Sequence, residues 1–416
     1  MKKSTYLVVL LIILGSFPLS AQQDPAINRD ISGPGSVMNQ LDNDEESQGL
    51  RAWYILDSLD NAKERFYDKT GFKISGDYNS QIMAATDAIG NNIGASGVFR
   101  IYGKWNLINH GSDKEGGIIF KVENRHRYTE NALREYGPVD IGYAGLLQSV
   151  YNNQGWRATN LYWRQEFGKS KIVAYGGFVD ITDWTDVYAV ASPWQSFNNI
   201  VFATGSGALG GAYPDGSMGF MVSGWLTDNL YAVGSLVDAN GDATQFWKGF
   251  DTFFTDFETV KTFELGYSPG VEMLFLRNIH LTFWQVDARR EANTPSGWGI
   301  IGSASWALGA QYQYLPFLRF GWAKDGLAFY EYSISTGIAF NIAGPNTVGI
   351  GLNYNKPNES TFGIDLDPQF TGEVFYKFKL THHSEITPNI QFLGNPAFNP
   401  DNSFIAVFGL RGRFYF

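Results

Sequence analysis

From Phe72 to Phe416 the chain alternates apolar and polar residues in run after run. "FKISGDYNSQIMA" places Phe72, Ile74, Gly76 and Tyr78 on one face and Lys73, Ser75, Asp77 and Asn79 on the other. "VFRIYGKWNL" sets Phe99, Ile101, Gly103, Trp105 and Leu107 against Arg100, Tyr102, Lys104 and Asn106, and "IIFKVENRHRY" sets Phe120 and Val122 against Lys121, Glu123, Arg125 and Arg127. A period of two is the signature of a strand. One apolar and one charged face suits a lipid-facing wall around a polar lumen, and equally a soluble sandwich with its polar face outward. Spacing separates the two. Segments begin near residues 72, 97, 117, 157, 171, 217, 229, 259, 279, 298, 316, 329, 347, 371, 386 and 403, roughly 22 residues apart, against the roughly 8 to 12 of soluble sandwiches. Long connections such as "ENALREYGPVDIGYAGLLQSVYNNQG" alternate with short ones such as "GKS" and "TDN", as expected of outer loops and periplasmic turns. The pattern predicts an all-β fold over 72–416, a 16-stranded antiparallel transmembrane β-barrel, preceded by a short N-terminal helix.

The ending "SFIAVFGLRGRFYF" is itself a strand, with Phe404, Phe408, Leu410, Phe414 and Phe416 on its apolar face. In hydrocarbon no strand edge can stay unpaired, so this strand is expected to close on the first, with Phe416 in the aromatic belt at the membrane boundary. Ahead of the barrel, Trp53, Leu56, Leu59, Ala62 and Phe66 recur at helical spacing and Gly71 stops the run. This predicts an amphipathic helix over 49–71, packed against or just inside one end of the barrel. Residues 22–48 are polar and without period, a flexible lead-in. Residues 1–21 carry Lys2 and Lys3, then about ten apolar residues, then small residues up to Ala21. They read as a secretory signal peptide, since ~20 apolar residues are needed to span a bilayer as a helix.

Composition narrows the function. The chain has no cysteine, which removes disulfides and thiolate chemistry. Its net charge of −10, with no basic stripe, argues against a nucleic-acid partner. An exported chain without cysteine or a second long apolar run is periplasmic, secreted or a barrel in an outer membrane; the strand pattern makes the outer membrane of a Gram-negative bacterium the expected location, with the lipid bilayer as a partner. No cofactor or metal is expected. His382 and His383 are adjacent and would point to opposite faces of a strand. "GSGALGG" has glycines at phosphate-loop spacing, but Pro214 and Gly216 break the chain before a helix could follow.

The entry "LRAWYILDSLDNAKERFYDKTGFKISGDY", the block "LYWRQEFGKSKIVAYGGFVDITDW", the stretch "YPDGSMGFMVSGWLTDNLYAVGSLVDANGD" and the ending "EITPNIQFLGNP" followed by "FIAVFGLRGRFYF" together resemble the OprB-type carbohydrate-selective porins. The resemblance runs from about Leu50 to Phe416 and departs at Ala397 and Phe398, where the family tends to have glycines. It implies a sixteen-stranded outer-membrane barrel that admits sugars, and a C-terminal strand handled by barrel-assembly machinery. A homo-oligomer is compatible with it.

Within such a barrel the charged face of the second to fourth strands is the candidate constriction: Arg100, Lys104, Lys121, Glu123, Arg125, Arg164 and Glu166. Arg with Glu supplies donors and acceptors for sugar hydroxyls. With Arg127 this face holds six basic against two acidic residues, an excess of four positive charges that would favour anions. The long loop from Asp183 to Gly216 is expected to fold into the pore, with Trp184, Trp194 and Phe197 offering flat apolar faces to a sugar. The function expected is passive, selective diffusion of neutral mono- or oligosaccharides. The alternative is an outer-membrane barrel enzyme or a surface-polysaccharide binding protein.

Overall fold

A computed structural model describes residues 31–45, 54–112, 114–168, 171–209, 213–341 and 345–416. The strands are β1 (Phe72–Ala85), β2 (Ile93–Ile108), β3 (Gly116–Arg127), β4 (Gly155–Phe167), β5 (Ile172–Val179), β6 (Ser217–Trp225), β7 (Leu230–Asp238) and β8 (Thr259–Tyr267). They continue as β9 (Arg277–Val286), β10 (Gly297–Trp306), β11 (Tyr314–Asp325), β12 (Tyr330–Phe340), β13 (Thr347–Pro357), β14 (Gln369–Thr381), β15 (Ser384–Gly394) and β16 (Phe404–Tyr415). Each pairs antiparallel with its sequence neighbours, and β16 pairs with β1, so the sheet is a closed barrel with no free edge. Every expected strand is present. The largest displacement is at β2, which starts four residues before the expected position.

Closure reaches the last residue. Phe416 N donates to Gly76 O at 2.9 Å, and Gly76 N donates to Phe416 O at 3.0 Å. A side chain at position 76 would come within 3.0 Å of the Phe416 ring, so glycine there leaves the ring room to lie across β1. The period-two faces also hold. Ile82, Leu281, Phe320 and Leu352 are exposed on the outside, while Asp77, Asn79, Arg100 and Glu123 are buried inside. Aromatic rings gather at both ends of the apolar band, Phe72 against Trp105 (6.1 Å) and Tyr267 against Trp306 (6.5 Å) at one end, Trp298 against Trp322 (4.8 Å) and Tyr354 against Phe370 (4.8 Å) at the other. They form the paired girdles of a membrane barrel.

The N-terminal part departs from expectation in two ways. Helix α1 (Val37–Glu45) lies where a flexible lead-in over 22–48 is expected, and its residues Val37 and Leu41, with Ile31 before it, are fully buried inside the barrel. Three aliphatic side chains four to six residues apart are few for a sequence pattern to register, but they suffice to anchor one turn-rich segment. Helix α2 (Tyr54–Thr70) forms as expected from residue 54 onward and packs against the barrel end, but through Tyr67, which accepts from Asn106 (3.2 Å), and Thr70, which accepts from Trp105 (3.3 Å), while Leu59 and Phe66 of its apolar stripe remain exposed. The expected signal peptide over 1–21, and residues 46–53, lie outside the described residues.

Candidate pore constriction

The register of the first four strands sets four charges side by side on the lumen face. Asp77 of β1 faces Arg100 of β2, Arg100 faces Glu123 of β3, and Glu123 faces Arg157 of β4. The row alternates in sign, which is the stabilising arrangement for directly opposed side chains. Arg100 donates through Nε to Asp77 Oδ1 at 2.7 Å and pairs with Asp77 Oδ2 through its second arm. Arg413 of β16 donates to the same carboxylate at 2.7 Å. Arg125, next but one to Glu123 on the same face, donates to it at 2.7 Å. Three hydrogen-bonding atoms in this row, Arg100 Nη1, Glu123 Oε1 and Arg157 Nε, are buried without a partner among the described residues. Buried polar atoms of this kind are uncommon unless something else occupies them in use.

The loop of residues 180–216 folds into the lumen, as expected from its length. It is fastened on every side. Near the row, Lys121 pairs with Asp183 at 3.7 Å and Asn160 donates to Asp183 at 3.2 Å. On the far wall, Asp186 accepts from His280 at 2.9 Å and pairs with Arg319, whose Nη1 also donates to the carbonyls of Phe202 (2.9 Å) and Ala203 (2.8 Å). Glu373 of β14 accepts from the backbone N–H of Asn198 (2.7 Å) and Asn199 (2.9 Å), and Arg411 of β16 donates to Pro193 O at 2.7 Å. The loop's last turn returns Asp215 to the row, where Arg157 (2.9 Å), Arg125 (3.3 Å) and Arg134 (3.8 Å) converge on it. Burial works against ionised Asp215, but Arg134, Arg157 and Arg125 outweigh it and hold the carboxyl well below the usual range. For Asp183 burial dominates and, with Asp180 beside it, pushes the carboxyl up to about 7 despite Lys121.

These positions sort the expected site residues. Arg100, Lys121, Glu123 and Arg125 come together at one level, with Arg127 at the exposed rim. Lys104 lies nearer the opposite end, 5.1 Å from the Tyr67 ring of α2, and Arg164 pairs with Glu166 at 2.6 Å near the turn before β5, so these three belong to a separate station of the lumen. The aromatic residues do not offer open faces. Trp184 is 1% exposed and packed between Tyr162 and Tyr175, Phe197 is 1% exposed among Phe202, Phe317 and Phe375, and Trp194 stacks on the Arg100 guanidinium at 4.0 Å. Loop packing consumes rings that the sequence places in the pore. The structure adds carboxylates to this face, Asp77, Asp180, Asp183 and Asp215, but also the guanidinium groups of Arg157, Arg413 and Arg134, so the positive excess is reduced rather than removed. Asp77 is visible on the lumen face in the sequence; the loop carboxylates have no period to betray which way they point.

Comparison with known proteins agrees with this architecture. The chain is similar in fold to the Pseudomonas putida OprB structure at high pH, at 15% identity and a TM-score of 0.68 over 86% of this chain and 97% of that one. The low-pH structure of the same protein gives 14% identity and a TM-score of 0.54 over 89% and 100%. No curated protein sequence matches. The family described as carbohydrate-selective porin, OprB family, matches residues 276–416. That range contains the "EITPNIQFLGNP" and C-terminal marks and excludes the earlier ones. From β9 to the C-terminal Phe416, then, the chain carries the sequence pattern of the carbohydrate-selective OprB porins, on a barrel of the fold that the Pseudomonas putida OprB structures share.

Proposed function

We propose that the protein is an outer-membrane porin for passive, selective diffusion of neutral mono- or oligosaccharides in a Gram-negative bacterium. The observation that carries this reading is the alternating row Asp77, Arg100, Glu123 and Arg157, closed over by the loop and holding both donors and acceptors that the protein leaves unused. A sugar presents hydroxyls that need both at once, and its passage requires contacts weak enough to release it. Family pattern and fold support a transport channel over an enzyme. Recognition here is polar, since the rings of the loop are already packed. Arg125, Asp215 and Arg134 form the entrance, with Asp215 and Arg134 about a third exposed. Barrel-assembly machinery as a biogenesis partner accords with the terminal strand ending in Phe416.

Liposome swelling with a graded panel of sugars tests the reading. Swelling that favours small sugars and falls when Arg125 or Glu123 is altered is expected. Swelling that follows solute size alone, unchanged in such variants, would remove the row from any role in selection.

A further inference from the structure

The segment 31–45 runs through the lumen along the wall that bears the charged row. Its apolar residues Ile31, Val37 and Leu41 share one buried cluster with Tyr102, Ile119, Tyr162 and Trp184. At its upper end Gly33 N donates to Asp183 O at 2.6 Å, and Gly35 lies against Ser192 and Trp194 of the loop. At its lower end Asp42 reaches Lys73, the second residue of β1, at 3.7 Å. The segment thus extends from the constriction to the end of the barrel where both terminal strands meet.

Several of its polar side chains bond within the segment itself. Asn39 Nδ2 donates to Ser32 O (3.0 Å) and Gly33 O (2.8 Å), Gln40 Nε2 donates to Gly35 O (2.7 Å), and the Ser32 and Ser36 hydroxyls are 3.0 Å apart. Such a unit can leave the lumen with these hydrogen bonds intact. Among the described contacts, the burial of three aliphatic side chains and polar contacts near its two ends hold it, set against the entropy of ordering fifteen residues. Elements balanced in this way open locally well before the whole fold does.

We propose that residues 31–45 are a displaceable plug that sets whether, and for what size of sugar, the pore is open. The plug deepens the porin reading and rests on it. Seated, it fills the lumen beside β2 and β3 below the charged row; withdrawn, it leaves the row facing a continuous path.

The absence of native cysteine permits a direct test. A Cβ at Gly35 would stand 3.9 Å from that of Ser192, and Gly35 does not occupy the left-handed region. That separation lies within the ~3.5 to 4.5 Å of ordinary disulfides. In the otherwise native chain, Gly35→Cys with Ser192→Cys should crosslink on oxidation and cut conductance and sugar-driven swelling at least tenfold, both returning with dithiothreitol. A second variant lacking only residues 31–45, checked for heat-modifiable mobility, should conduct in a larger step and admit larger oligosaccharides. If the crosslink forms completely and conductance and size limit stay unchanged, the plug is a fixed part of the wall and the proposal fails while the porin reading stands. If native protein is silent and the shortened chain conducts, the plug is supported in its strongest form. If neither conducts when inserted, the porin reading falls and the plug with it.

Discussion

On the β1–β4 wall the charged row ends in Asp215 and Arg134, each about a third exposed; on the opposite wall Asp186, His280 and Arg319 are wholly buried. Both clusters bring carboxylates of one loop to cationic groups of the strands. They differ in whether water reaches them and in what is left unsatisfied. In the dry cluster the Asp186 carboxylate is fully used, by His280, Arg319 and the Gly205 N–H. Arg319 Nε is left without a partner there among the described residues, against three such buried atoms along the row, Arg100 Nη1, Glu123 Oε1 and Arg157 Nε. A buried carboxylate whose oxygens are all engaged fastens a loop; a row with more hydrogen-bonding capacity to spare, reaching water at its Asp215 and Arg134 end, can greet a solute.

The largest effect should come from the dry cluster. Asp186→Ala leaves Arg319 and His280 buried without their partner, which costs about 3 to 5 kcal/mol when one member of a buried pair is removed. The temperature of the heat-modifiable gel shift should fall and the loop should become protease-sensitive. An unchanged transition would show that the cluster does not anchor the loop.

Arg125→Ala should follow, at about 1 to 3 kcal/mol, because Glu123 loses a buried partner. Its main effect is on transport. Conductance should rise and sugar-dependent block of the current should weaken, whereas Arg164→Ala, at the separate station, should leave sugar block unchanged. Equal loss of block in the two variants would erase the division of the lumen into stations.

Asp215→Asn should alter stability by less than about 1 kcal/mol, as expected for a partly exposed pair. It frees three arginines of their shared carboxylate, so reversal potentials in a salt gradient should move toward anions. A shift toward cations would contradict the charge balance described for the mouth.

Asp183 should add a pH dependence. The folded carboxyl of Asp183 is raised to about 7, above the ~3.9 of an unfolded aspartate. The folded state therefore binds the proton more tightly, and its contribution is complete below about pH 4 and lost as pH rises through about 7. Loop attachment should weaken over that window, seen as rising protease sensitivity between pH 5 and pH 8. Asp183→Asn should flatten the profile; an equally steep profile in that variant would assign the titration elsewhere.

The barrel was legible because its physics is periodic. Lipid on one side and water on the other impose a period of two on every strand, so sixteen strands could be placed within four residues of where they lie. The pairing of the last strand with the first followed from the need to leave no edge in hydrocarbon, and the structure carries it to Phe416 on Gly76. Within the site, Arg100, Glu123 and Arg125 were legible for the same reason. The partners that neutralise them were not, since Asp183 and Asp215 sit in a loop without period and Arg157 joins the row only through register. The rings of Trp184 and Phe197 misled, because an aromatic residue in a long loop packs or presents itself according to tertiary neighbours that composition does not reveal. Helix α1 is not legible, because three buried aliphatics among serines, asparagines and glycines look like a linker.

The proposed function requires sugars to pass in contact with the row. Single-channel recording in planar bilayers with sugar added to one side tests it most directly. Brief, concentration-dependent interruptions of the native current that lose depth and duration in Arg125→Ala are expected. A native channel whose current sugars never interrupt, or one whose interruptions are identical in Arg125→Ala, would contradict it.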